Sequence, residues 1–175
     1  MEELIDVLNE DETKTGKIVT RKEVHEKGLW HRIVVIAIID EEGHLLMQQR
    51  AKDKETNPGK WDVSVAGHVS AGQTSIEAAI REVKEEIGID LEEKDLEYML
   101  TYQIGRKVKE NFYANHIFDF YMVKTDVIDV SKIKLQESEV EQVKLCNLEE
   151  VQNMLSKNMV VERKPVYEVL IKYLN

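Results

Sequence analysis

Residues Ile33–Ile39 are an unbroken run of apolar, mostly β-branched side chains, which predicts a central strand buried on both faces. Asp40–Gly43 supply turn residues, and His44–Arg50 return as a second strand, so the pair reads as a hairpin. The segment Asp53–Lys60, with Asn57, Pro58 and Gly59, is a loop. Trp61–Ala66 then predicts a strand with Trp61, Val63 and Val65 on one face. Glycines and small polar residues make Gly67–Thr74 a loop. A helix follows from about Ile76 to Ile87, capped by Thr74 or Ser75 and closed by a left-handed Gly88. Ile76, Ile80, Val83 and Ile87 recur at helical spacing as its buried stripe. Further strands are expected near Glu97–Ile104, Asn115–Val123 and Val140–Cys146, and helices at Leu148–Leu155 and Pro165–Leu174. The polar residues 1–32 have turn chemistry at Asn9–Glu12 and at Thr15 and Gly16, enough for a short hairpin. Strands and helices in this order predict an α/β sandwich with a mixed sheet between helices.

Length narrows the organisation: 175 residues suit one domain over 1–175, with 1–32 as an N-terminal extension packed on it. The balance of 42% hydrophobic and 33% charged residues excludes a disordered chain. With 24 basic against 34 acidic residues the formal charge is −10, which argues against a nucleic-acid polymer or a membrane surface as partner. An anionic small molecule would then need a divalent cation to reverse the local field. Cys146 is the only cysteine, so an intramolecular disulfide and a multi-cysteine zinc site are excluded. Together with an N-terminus that lacks a basic region and an apolar core, this reads as a cytoplasmic protein, for which a homodimer is the default assembly.

Candidate chemistry concentrates on the Ile76–Ile87 helix. Glu82, Glu85 and Glu86 fall at i, i+3 and i+4, a spacing that brings three carboxylates to one side of a single turn. A solvated acidic face has the same spacing. Like charges this close repel, and hard oxygen donors so arranged suit magnesium or manganese.

The surrounding segment decides between these readings. Gly67, Arg81, Glu82, Val83, Glu85, Glu86, Gly88 and Ile89 stand at the fixed positions of the Nudix box, which residues 67–89 closely resemble. One position departs: Gln73 stands where that family has glutamate, and it brings no negative charge to a metal. The resemblance implies the Nudix α/β/α sandwich with a mixed β-sheet and a loop–helix–loop catalytic motif. It implies Glu82 and Glu86 as main metal ligands, Glu85 as a third ligand or the base, and a backbone carbonyl from Gly67. Arg81 would direct a neighbouring carboxylate through its planar guanidinium. The implied activity is metal-dependent hydrolysis of a diphosphate linkage, with water attacking phosphorus and a carboxylate accepting its proton. Glu139, just before a strand, is the candidate base from outside the box.

A second resemblance is to the isopentenyl-diphosphate isomerase branch of the same fold, carried by Gly28–Arg32, Trp61–His68 and the polar N-terminal extension. That branch has a cysteine before its Gly-His pair and two glutamates flanking a later histidine. Here Ala66 and Asn115-His116-Ile117 stand there, so an alkene proton shuttle lacks donor and acceptor. His25, His31 and His68 match that branch's metal histidines by position. With its carboxylate ligands gone, they read as hydrogen-bonded structural or substrate-facing residues.

Trp30, Trp61, Phe112, Tyr113 and Tyr121 could stack on a base, although Trp61 reads as core. Arg50, Lys52, Lys54 and Lys60, or Arg106, Lys107 and Lys109 in a second loop, could meet outer phosphates. The N-terminal segment and the loops Asp53–Lys60 and Arg106–Asn111 would set specificity. The expected function is hydrolysis of a nucleoside diphosphate-X substrate with magnesium; the rival is a catalytically weak nucleotide- or ligand-binding module using the same pocket.

Overall fold

The structure, a computed structural model, describes residues 2–175. Its strands are β1 (Leu4–Leu8), β2 (Lys14–Thr20), β3 (His31–Asp40), β4 (Leu45–Arg50), β5 (Trp61–Asp62), β6 (Val65–His68), β7 (Glu97–Lys109), β8 (Phe112–Thr125) and β9 (Val140–Cys146). Its helices are α1 (Arg21–Glu26), α2 (Ser75–Ile87), α3 (Leu148–Ser156) and α4 (Lys164–Leu174). β1 and β2 form the N-terminal hairpin, and the other strands form one mixed sheet in which β3 pairs in parallel with β8.

The apolar run of β3 is buried on both faces because side chains alternate along it. Ile33, Val35, Ala37 and Ile39 enter one core with Val151 and Met154 of α3 and Val166 and Leu170 of α4. Val34, Ile36 and Ile38 enter the other, under Ala78, Ala79, Val83 and Ile87 of α2. The result is the expected α/β/α arrangement, held mainly by apolar burial at about 25 cal/mol per Å². No helix among the described residues is long and apolar enough to cross a membrane.

Two expectations need correction. Trp61–Ala66 is not one strand, since β5 pairs with β4 and β6 pairs with β3. Between them the Ser64 hydroxyl donates to Leu46 O at 2.5 Å and accepts from Ile38 N at 2.8 Å. The chain changes partner there, so Val63 and Val65 enter opposite cores. Arg106, Lys107 and Lys109 lie on β7, not in a loop, because ladder bonds to Phe112–Ala114 extend the hairpin past its apolar part. Asn111, at φ 56°, makes the turn.

Asp62, fully buried, receives Nε and Nη2 of Arg163 at 2.7 and 2.8 Å. This two-pronged pair ties β5 to the start of α4, beside the bonds Trp61 N to Met159 O and Val161 N to Trp61 O. Removing one partner of such a pair leaves a buried charge uncompensated, at a cost of about 3–5 kcal/mol. Arg163→Met should therefore lose about that much in urea unfolding, whereas Lys84→Ala, which breaks an exposed pair with Asp90, should change stability by less than about 1 kcal/mol.

Candidate active site

α2 is fixed at both ends before any chemistry is considered. The Thr74 hydroxyl accepts from Glu77 N at 3.2 Å and the Glu77 carboxylate accepts from Thr74 N at 2.8 Å, a reciprocal cap. Gly88, at φ 72°, closes the other end. Ser75 donates to Asp119 on β8, which also receives both Thr101 at 2.6 Å and Arg32 at 2.8 Å. The helix start is thereby pinned to the sheet.

Its three glutamates do not share one environment. Relative to Glu82, Glu86 is rotated about 40° toward the core stripe, while Glu85 is about 60° the other way. Glu82 and Glu86 are accordingly buried, and the Glu85 side chain is 50% exposed. The stripe itself runs through Ala79, Val83 and Ile87, with Ile76 and Ile80 only partly buried at its border. The expected single carboxylate face is thus a buried pair with Glu85 on the outer shoulder.

Close packing on β6 sets the position of Glu82. Gly67 faces its carboxyl group, and a Cβ there would overlap it. Arg81 spreads over four partners: Glu82 at 2.8 Å, Glu85 at 3.1 Å, the His68 carbonyl at 2.9 Å and the Gln73 amide oxygen at 3.3 Å. Gln73 therefore serves Arg81. The Glu86 carboxylate has one side-chain donor, Gln48 Nε2 at 3.0 Å.

Burial, with Glu85 nearby, pushes the Glu82 carboxyl up to about 7 against the pull of Arg81. Burial and the charge of Glu82 push Glu86 up to about 8. These are acids short of positive charge. Above them lies a cavity of about 1100 Å³ lined by Gly67, Gln73, Glu82, Glu85, Glu86 and Glu139 among others. The Glu139 carboxylate is gripped by Lys54 at 2.5 Å. Residues of the N-terminal segment, the Asp53–Lys60 loop and the β7–β8 turn also reach this cavity, among them Arg21, Lys54 and Asn111. Arg50 lines it too, but its guanidinium is committed to the Thr56 carbonyl at 3.0 Å. Lys52 pairs instead with Glu141 at 3.3 Å.

The histidines converge as well. His25, His31 and His68 are joined by His116, and one ring nitrogen from each lies within 4.8 Å of the others. Sequence reasoning placed the first three together but missed His116, because strand register, not spacing, sets it beside His31. Ala66, at the position of the isomerase-branch cysteine, offers the cavity a methyl group. Tyr121 is buried in the α2 core and Trp61 packs against the other.

The NUDIX domain model matches residues 29–170. Nudix hydrolase 3 of Arabidopsis thaliana is 39% identical over 159 residues, which is 89% of this chain but 21% of that protein, so the chain spans about a fifth of that relative. An uncharacterized Nudix hydrolase of Listeria monocytogenes is 38% identical over 151 residues, covering 86% of this chain and 83% of its own length. Isopentenyl-diphosphate isomerases also match, at lower identity. Among solved structures, the protein DR0079 from Deinococcus radiodurans superimposes with a TM-score of 0.71 over 97% of this chain and 98% of that one, at 19% identity. That likeness is one of fold.

The raised carboxyls give a pH dependence of definite sign. Between their ordinary value of 4.5 and about 7 to 8, the folded chain holds protons that the unfolded chain has released. Stability is then greatest below about 4.5 from this source and declines as pH rises through 7 to 8. Without divalent ions, unfolding free energy should fall across that window. Glu86→Gln should flatten the decline and be the more stable protein at pH 8, by on the order of 1 kcal/mol or more; an unchanged slope would show that Glu86 titrates normally.

Proposed function

The chain belongs to the Nudix family, and from that premise we propose that it hydrolyses the diphosphate linkage of a nucleoside diphosphate joined to a further group, with magnesium or manganese held by Glu82 and Glu86. The observation that carries this reading is the buried carboxylate pair at the cavity floor, one member of which has a single neutral side-chain donor. Hard oxygen donors that lack compensating charge fit a divalent ion, and Gly67, having no side chain, lets the Glu82 carboxyl lie against β6. Glu85, turned outward and held by Arg81, would act as a ligand nearer the solvent.

A divalent ion would neutralise phosphate oxygens and favour attack by water. The chain's own residues do the rest. Arg81 is a positioning residue: its fork holds Glu82 and Glu85 in fixed directions while the Gln73 amide and the His68 carbonyl hold the fork. Water forms a bond to one phosphorus, the bridging P–O bond breaks, and the proton shed by the water goes to Glu139. Lys54 takes Oε2 of that carboxylate and leaves Oε1 for the proton. The cavity wall carries more acidic than basic side chains, so the outer phosphates depend on the cation and on a few groups such as Arg21 and Arg106. Ala66 has no proton to give or take, which sets this chain apart from isomerase chemistry.

The test is phosphate or nucleotide release from nucleoside diphosphates, sugar nucleotides, dinucleotides, coenzyme A and isopentenyl diphosphate at millimolar magnesium. Glu86→Gln should lower kcat by at least about a hundredfold on any compound cleaved. Glu139→Gln should lower kcat by about a hundredfold or more with KM little changed. Gly67→Ala should act like loss of Glu82, by displacing it. Binding of a compound without hydrolysis, unaltered by Glu86→Gln, would replace the enzyme by a binding module.

A further inference from the structure

A second cavity, of about 570 Å³, lies against the start of α4. It adjoins the first, for Asn57, Arg106, Val161, Glu162 and Arg163 line both. Segments far apart in the chain meet in it. Trp61 N bonds Met159 O and Val161 N bonds Trp61 O, so Lys60, at the entry to β5, is carried beside the α3–α4 connection. There its Nζ lies 3.4 Å from the neutral amide oxygen of Asn158. Arg106 comes across from β7 and meets Glu162 at 3.5 Å. Arg163 is buried and held by Asp62 through Nε and Nη2, which leaves the two N–H bonds of Nη1 outside that pair. α4 then begins with Lys164, whose ammonium stands 3.9 Å from Glu168.

The two cavities differ in the sign of their walls. Acidic side chains outnumber basic ones around the carboxylates of α2, whereas the second wall sets Lys60, Arg106, Arg163 and Lys164 against Glu162 and Glu168. The start of α4 adds to the positive side. No side chain among the described residues caps it, and Pro165 in its first turn has no N–H, so the positive end of the helix dipole is left for a ligand. In a chain of formal charge −10, a basic recess of this kind is a local exception to the acidic surface.

Resting on the diphosphate reading of the first cavity, we propose that the second binds a phosphate or carboxylate carried at the end of the substrate remote from the scissile linkage, with Lys60, Lys164 and Nη1 of Arg163 as donors. A diphosphate above buried carboxylates needs a divalent ion to reverse the field, but an anion in the second cavity meets cations directly. The Arg163 guanidinium is already fixed by its two bonds to Asp62, so it gives up little freedom when it binds a further acceptor. The shared wall lets one molecule occupy both cavities, and the charge of each then selects which end enters it.

Matched compounds that differ by one remote phosphate test this: coenzyme A against dephospho-coenzyme A, and NADP against NAD. Each is titrated calorimetrically into the full chain at millimolar magnesium, with cleavage followed in parallel by chromatography. In at least one pair the phosphorylated member should bind about tenfold tighter or more. That gap should shrink as salt is raised, since Lys164 is exposed. A Lys60→Gln, Lys164→Gln double variant should narrow it to less than about twofold. Inorganic phosphate should compete with the phosphorylated member alone. Equal affinities within both pairs, no binding of either phosphorylated member, or a gap that survives the double variant would overturn the proposal. So would phosphate that tightens binding of a dephosphorylated member, because a free anion would then be the occupant. A gap between compounds that bind but are never cleaved would support the second cavity and count against the hydrolase reading alone.

Discussion

Side-chain alternation along β3 is the constraint on which the rest of the molecule depends. Because one strand is buried on both faces, its even residues must meet α2 and its odd residues must meet α3 and α4. A one-residue slip against β6 or β8 would exchange both cores at once. The same register that protects the cores sets Gly67 opposite Val34, and so brings the start of the loop leading to α2 to the place where the helix must land.

The landing leaves a local conflict. α2 seats Ala78, Ala79 and Val83 on the sheet, and that docking carries Glu82 and Glu86 into low-dielectric surroundings with Arg81 and Gln48 as their side-chain partners. Buried acids raise the free energy of the folded chain, and they persist where the surrounding packing over-determines them. The N-terminal hairpin contributes to that packing. Glu12 reaches Arg32, whose other amino group holds Asp119, and Asp119 holds Ser75 at the first turn of α2.

What was legible in the sequence follows from the range of the forces involved. Thr74 and Gly88 are local signals, so the ends of α2 could be read within about a residue, as could β9. The box around Arg81 and Glu82 identified the fold and the cavity floor. Residues governed by partners remote in sequence were not legible. Ser64 ends one strand and starts another because it bridges Leu46 and Ile38. Glu85 parts from Glu82 and Glu86 because of where the core lies relative to the helix, which helical spacing alone leaves free. His116 finds His31 through a parallel pairing between strands far apart in the chain.

That parallel pairing also shapes how the chain folds. β3 and β8 are bonded along their full shared length, from His31 opposite His116 to Asp40 opposite Thr125, yet β4, β5, β6, α2 and β7 all lie between them in the chain. The seam at the middle of the sheet closes a long loop before its contacts reward the lost chain entropy, so it is slow to form. The hairpin of β3 and β4 is local and can form first. Until β8 arrives, one edge of the apolar β3 stands open to any other strand, and the newly made chain is most prone to aggregate in that interval.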